Sequence, residues 1–236
     1  MASQANRMTD RRVPLSRERV LEAAIGLADE SGIASLTMRR LAQELRVEAM
    51  TLYYYVSNKD EILNGMVDIV VGEIELPSPG ADWKAEIRTT AISAHAVFLR
   101  HPWAASLMLS SAGVSDARLR YMNAILGSLR LSGFSAEMTD HAYHVLESHI
   151  IGFTLWLVGM NLGSQEDLAA LAADFLRDLP RDRLPHLAEH AEQHLKPRDP
   201  DDEGSFAFGL DLILDGLERI RKTTLTLDAL NPPGAE

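Results

Sequence analysis

Three groups of residues in this chain have the types and spacing to do chemistry. The first runs from Arg39 through Met50, Thr51, Tyr53, Tyr54 and Tyr55 to Lys59. On an outward helical face, Met50, Thr51 and Tyr54 suit base edges and thymine methyl groups. Arg39, Tyr53, Tyr55 and Lys59 suit phosphate oxygens. Three consecutive phenols have no packing role in a helix that alternates inward and outward positions. The expected partner is therefore a double-stranded DNA operator.

The second group is His141, His144 and His149 with Glu147 between them, and His95 as a further inward candidate. His144 and Glu147 are three apart and share a helical face. A complete helical carboxylate site needs two such motifs and further carboxylates, so neither a metal nor a cofactor is expected. The histidines are read instead as hydrogen-bonded core groups or as polar groups lining a ligand pocket. No nucleophile has a convincing base and orienting partner, so no catalytic residue is assigned. A helical metal-dependent enzyme and an effector-independent DNA-binding or interaction module remain the alternative functions.

The third group is Trp103, Met108, Met122, Phe153, Trp156 and Met160, on helices expected to face one another. A largely apolar pocket with a few polar groups is the usual make-up of a small-molecule site. The candidate effector-binding set is His95, Trp103, Met108, Met122, His144, Glu147 and Trp156.

The elements that must position these groups are all read as helices. Ser16 caps a first helix with Val20, Ala23, Ala24 and Leu27 on one face, and Gly32 ends it. Thr37 caps a second carrying Leu41 and Leu45. After a turn at Arg46 and Val47, a third runs from about Glu48 to Val56, with Leu52 and Val56 inward. Ser57 and Asp60 have capping-box spacing and open a fourth helix to about Glu75, which belongs to both halves of the chain. Pro77, Pro79 and Gly80 stop it.

Further helices are predicted from Asp82 to about Arg100, from Pro102 to near Gly113, from Ser115 to Leu131 and from Ser135 to about Asn161. Ser164 and Asp167 open another to about Leu179. Pro185 to Leu195 is a short one, and Ser205 to about Leu225 the last. Sustained two-residue alternation is absent, so strands are not expected. The expected fold is all-α: residues 1–15 a flexible arm, 16–76 a helix-turn-helix DNA-binding domain with its connecting helix, 82–225 a helical effector-binding and dimerisation domain, and 226–236 a flexible tail.

Charge is segregated along the chain. The net charge is −11, yet residues 1–63 hold 9 Lys+Arg and 9 Asp+Glu while the rest holds 14 against 25. The neutral head calls for sequence-dependent contacts by a dimer rather than raw phosphate attraction. Arg7, Arg11 and Arg12 in the arm are placed to reach DNA or to sit in solvent. Zero cysteines exclude disulfides and thiol chemistry. No leader pattern opens the chain, and the nearly apolar run Ile150 to Leu162 is shorter than the roughly 20 residues of a membrane-spanning helix. The expectation is a cytoplasmic protein without a membrane partner. Ser135–Asn161 is apolar on more than one side, which points to packing against something more.

From about Ser16 to Val70, through GIASLTMRRLA, VEAMTLYYYV and NKDEIL, the sequence resembles the TetR (tetracycline repressor) family of transcription regulators. The larger domain resembles that family's tetracycline-repressor branch through the DW at 82, the SGFS at 132–135 and the FxxGLxxIxxG pattern from Phe206. The resemblance implies a homodimer through helices 135–161 and 205–225 and a ligand-responsive repressor that releases a palindromic operator. It also implies that the DNA contacts lie at the positions named above, and that the fourth helix carries the signal between domains. Two departures are visible. Arg46 stands where many relatives have glycine, and Ala49 and Met50 lack hydrogen-bonding side chains found in some. Met108 stands where the branch holds magnesium with a histidine, so a tetracycline–magnesium complex is not expected.

Overall fold

The computed structural model describes residues 14–110, 115–160, 165–196 and 204–230. Among these the regular structure is helical: α1 Arg17–Ser31, a 3-10 turn Ile33–Ser35, α2 Met38–Leu45, α3 Ala49–Leu52, α4 Lys59–Val71, α5 Trp83–Arg100, α6 Pro102–Ser110, α7 Asp116–Leu131, α8 Ala136–Gly159, α9 Gln165–Asp178, α10 Pro185–Gln193 and α11 Gly204–Leu230. The expected all-α class is what the chain adopts. Two compact units divide it, residues 1–66 and 67–236. The arm with Arg7, Arg11 and Arg12, the stops at Gly113 and Gly163, the cap at Ser164 and the end of the tail lie outside the described residues.

In the first unit the starts of α1 and α2 are each set by a side-chain oxygen that takes an otherwise orphaned N–H, whereas α3 begins without a side-chain cap. Ser16 accepts from the Arg19 N–H at the head of α1. Thr37 accepts from the Arg40 N–H at the head of α2. Gly32 closes α1 at φ 75°, a conformation that costs glycine little. Val20, Leu21, Ala24 and Leu27 of α1 and Leu41 and Ala42 of α2 fill the unit's core with Leu36, Leu52 and Val56. Gly65 marks the close approach of α4 to α1: a Cβ there would lie 2.7 Å from Leu21 Cδ1.

Two local expectations are corrected here. The third helix covers only Ala49–Leu52, and the chain continues through turns in which the Tyr54 N–H bonds Thr51 O and the Tyr55 N–H bonds Leu52 O. The start of α4 is set by Asn58 and Glu61, one residue later than the expected Ser57 and Asp60. Asn58 Oδ1 accepts from the Glu61 N–H at 2.8 Å, and Glu61 Oε2 accepts from the Ser57 N–H at 2.8 Å. The reciprocal pair satisfies two orphan donors, and the longer Glu side chain reaches back where Asp60 does not.

In the second unit Asp82, Ser115 and Ser135 cap α5, α7 and α8 through the N–H groups of Lys84, Arg118 and Met138. Helices α5 and α8 pack together with α6, α7 and α11 around them. Phe98, Tyr121, Ile125, Leu129, Leu146, Ile150, Leu210 and Leu214 form the interior. Trp83 meets Phe134 edge-on at 5.0 Å, pinning the start of α5 to the turn after α7. Ion pairs of Arg88 with Asp211 and of Lys84 with Asp215 lace α5 to α11. Helix α11 runs to Leu230, so residues 226–230 are helix rather than tail. Helices α9 and α10 form a hairpin with its own small core of Leu176, Ala188 and Ala191, flanked by Leu179.

Candidate nucleic-acid interface and effector-domain site

The first site is built by the turn between α2 and α3. Arg46 adopts φ 55° and ψ 45°, the left-handed region, and its N–H reaches Ala42 O and Gln43 O. The Val47 N–H then bonds Ala42 O at 3.0 Å, closing α2 in the manner of a glycine-ended helix. With the turn fixed, Leu52 and Val56 are buried, while Met50 is 73% and Tyr54 86% exposed. Arg39, Tyr53 and Lys59 are exposed, and Thr51 and Tyr55 are half-buried. The Met50 and Tyr54 side chains are therefore open to contact from outside the unit.

Lys59 occupies the first turn of α4, beside the cap already described. The Ser57 N–H bond holds the Glu61 carboxyl below its ordinary range, with a smaller contribution from Arg17, whose Nε lies 3.3 Å from Oε1. The carboxylate thus stays ionised and ties α1 and the loop before α4 to the first turn of α4.

In the second unit the candidate effector residues are spread over three places. Trp103 and Met108 are buried on α6. His95 belongs to an aromatic cluster joining α5, α8 and α11. Its ring stacks on Phe206 at 3.9 Å and 9°, and its Nδ1 lies 2.7 Å from Thr154 Oγ1. The Thr154 hydroxyl donates to Ile150 O at 2.7 Å, which leaves His95 Nδ1 as the donor to Thr154. His149 stacks on the same Phe206 ring at 4.8 Å and donates from Nε2 to Phe206 O at 2.9 Å. Burial, reinforced by His149, pushes His95 down to about 4, so its imidazole is neutral.

Glu147 lies in the third place, between α7 and α8. The Tyr121 hydroxyl, fully buried, donates to Glu147 Oε1 at 2.7 Å. Desolvation raises the Glu147 carboxyl above its ordinary value against the opposing pull of this bond, Arg118 and His144. Burial and the same carboxylate push Tyr143 up to about 12.

Three candidates do not face the interior. His144 is exposed and lies 3.4 Å from Asp140, one turn back on its own helix. Met122 is exposed on α7, and Trp156 is 52% exposed on α8. Each sits on a helix whose buried stripe is filled by neighbours at other positions, so spacing alone misassigns its side. His141 likewise pairs outward, 3.9 Å from Glu137. The expected histidine cluster is therefore split: His95 and His149 lie inside, His141 and His144 outside.

Sequence reasoning missed Tyr121 and the part played by Phe206. Tyr121 falls in register with Ala117, Ile125 and Leu129, a signal of burial that says nothing about its carboxylate partner. A cleft of about 440 Å³ was not anticipated either; Glu73, Glu75, Thr89, Ile92, Ser93, Ala96, Val97 and Arg100 line it, none of them a candidate effector residue.

A small helical unit with a turn-linked pair of short helices and an exposed second member, followed by a larger helical unit, defines a helix-turn-helix DNA-binding regulator. Residues 20–66 match the family of bacterial regulatory proteins called tetR, and residues 76–221 match the tetracyclin repressor-like C-terminal domain. The chain belongs to the TetR family of transcriptional regulators. The tetracycline repressor protein class D of Escherichia coli is 34% identical over 214 residues, covering 86% of this chain and 89% of that protein. The HTH-type transcriptional repressor DrrR1 of Streptomyces coeruleorubidus is 31% identical over 217 residues, covering 86% and 77%. Among solved structures, ActR of Streptomyces coelicolor in complex with actinorhodin has a TM-score of 0.69 at 29% identity, covering 89% of this chain and 99% of that one.

Proposed function

We propose that this regulator is a homodimeric, cytoplasmic repressor that holds a palindromic operator and releases it when a small, largely hydrophobic effector enters the second unit. The observation that carries the reading is the exposure of Met50 and Tyr54 beside the left-handed turn at Arg46. Met50, Thr51 and Tyr54 are assigned to base edges, and Arg39, Tyr53, Tyr55 and Lys59 to phosphates. The repressor role of DrrR1 and the complex of ActR with actinorhodin support, respectively, the direction of control and the kind of ligand. Inside the second unit His95, Trp103, Met108 and Glu147 are the inward-facing groups assigned to the effector.

Dimerisation is assigned to α8 and α11. Val145 and Trp156 on α8 and Met160 at its C-cap, with Phe208 at 69% and Leu212 at 58% exposure on α11, are apolar groups open to water in one chain. A second copy covers them in a symmetric four-helix arrangement. Two reading heads must then sit about 34 Å apart to enter successive major grooves, and effector binding spoils that register through α4. By linkage, operator binding must weaken the effector's affinity by the factor that the effector weakens the operator's.

Selection of bound duplexes from a random pool, repeated with Tyr54→Ala, tests the reading. A palindromic site whose half-site preference collapses in the variant supports it. Failure of the wild-type protein to enrich any sequence sinks it.

A further inference from the structure

Helix α4 is one continuous run from Lys59 to Val71, so it starts in the first unit and ends in the second. Bonds on two sides hold its second-unit end and the turn that follows. On the α5 side Glu73 pairs with Arg100 at 2.6 Å, and the Glu75 N–H donates to Ser93 Oγ at 3.0 Å. On the α7 side Asp68 Oδ1 accepts from the Ala117 N–H at 2.7 Å. Glu73, Glu75 and Arg100 are exposed, whereas Asp68 is half-buried and Ala117 buried, so water competes least for the bond to α7.

Ala117 is the second residue of α7, where an N–H has no acceptor within its own helix. The local cap Ser115 takes the Arg118 N–H and leaves that of Ala117 to a carboxylate 49 residues away in sequence. An acidic acceptor suits this place, because the start of a helix carries partial positive charge. Asp116, the acid native to this turn, pairs instead with Arg120 on its own helix.

We propose, resting on the repressor reading above, that Asp68 is the positioning residue of α4. Its bond to the start of α7 fixes where α4 ends on the second unit and, through the continuous helix, sets the separation of the two reading heads that the operator must match. A hydrogen-bonded helix of 13 residues passes a displacement at one end to the other. Freeing α4 at Asp68 therefore lets its other end swing, and the heads sample several separations in place of one. The Glu73–Arg100 pair is no substitute, since an ion pair exposed on both sides holds its groups weakly in water.

The test takes the half-site that the full wild-type chain enriches and offers it in duplexes whose two copies are separated by a random number of base pairs. Wild type should enrich one separation. Asp68→Ala should spread enrichment over neighbouring separations and bind the wild-type one about tenfold more weakly, with the salt dependence of binding unchanged because every phosphate contact remains. Asp68→Asn keeps an oxygen for the Ala117 N–H and should hold the wild-type separation, as should Glu73→Gln. A lesion that only destabilised the fold would lower the active fraction and leave the preferred separation where it was.

A second measurement needs no variant. If opening this bond weakens operator binding about tenfold, operator binding must suppress the opening by the same factor. Hydrogen exchange at the Ala117 amide of wild type should therefore slow by about tenfold on saturation with operator. Exchange that the operator leaves unchanged overturns the inference. So does Asp68→Ala that keeps the single separation at wild-type affinity, or a separation lost equally in Asp68→Asn or in Glu73→Gln. In each of these cases the enriched palindrome still stands and the repressor reading with it; if wild type enriches no sequence, that reading falls and takes the role of Asp68 with it.

Discussion

The Tyr121 hydroxyl donates to Glu147 Oε1 at 2.7 Å, joining α7 to α8 through a phenol that is fully buried. Tyr121→Phe removes the donor and leaves the carboxyl enclosed without it, at a cost of about 1–3 kcal/mol. Urea unfolding of the two proteins at one pH measures the difference. An unchanged midpoint would show that solvent, not the phenol, satisfies Glu147.

The same carboxyl gives a pH dependence of defined sign. Desolvation raises Glu147 above its ordinary 4.5, so the folded chain binds its proton more tightly than the unfolded one. The stability from this group is full below about pH 4.5 and is lost as pH rises through the raised value. Glu147→Gln does not titrate. Its melting temperature relative to wild type should therefore climb as pH rises above about 4.5. A constant gap would refute the assignment.

His95 works in the other direction. Its value is lowered to about 4, so the neutral ring stabilises the fold above the unfolded value of 6.5, and that contribution is lost as pH falls toward 4. His95→Phe should keep the stack on Phe206 and remove the titration. The stability advantage of wild type over the variant must then shrink between pH 6.5 and pH 4, as followed by thermal melts across that window.

Arg46 sits at φ 55° with a Cβ that the left-handed region disfavours. Arg46→Gly should stabilise the protein by up to about 1 kcal/mol, because glycine adopts this conformation without the steric penalty. Chemical denaturation reads the gain; a loss would mean that the arginine side chain contributes more than the turn costs.

Tyr54 is 86% exposed, so Tyr54→Ala should shift stability by no more than about 0.5 kcal/mol. Its effect belongs in the DNA selection, where losing a base contact costs about 1–3 kcal/mol of discrimination at one position of each half-site. A variant that unfolds instead would place Tyr54 in the core.

Trp156→Glu combined with Phe208→Glu puts two charges on the apolar faces of α8 and α11. Sedimentation should show a monomer where the parent is a dimer. A dimer that persists would move the interface elsewhere.

What the sequence by itself determined is local. Ser16, Thr37, Asp82, Ser115 and Ser135 are legible as caps because each bonds an N–H two or three residues ahead. The exposed reading segment is legible for a similar reason: Leu52 and Val56 must point inward, which leaves Met50 and Tyr54 on the other side. Even locally, the choice between Ser57 with Asp60 and Asn58 with Glu61 turned on side-chain reach, which spacing does not carry.

Only the tertiary structure decided which histidines and aromatics face inward. Helix α8 is apolar on more than one side, so its own pattern cannot say which side its neighbours cover. Packing within the chain chose the side holding His149 and Thr154 and left His144 and Trp156 outside its interior. The bonds that define the interior join Tyr121 to Glu147 across 26 residues and His95 to Thr154 across 59. Such pairings depend on how whole helices cross, because the groups share no local backbone geometry that could bring them together.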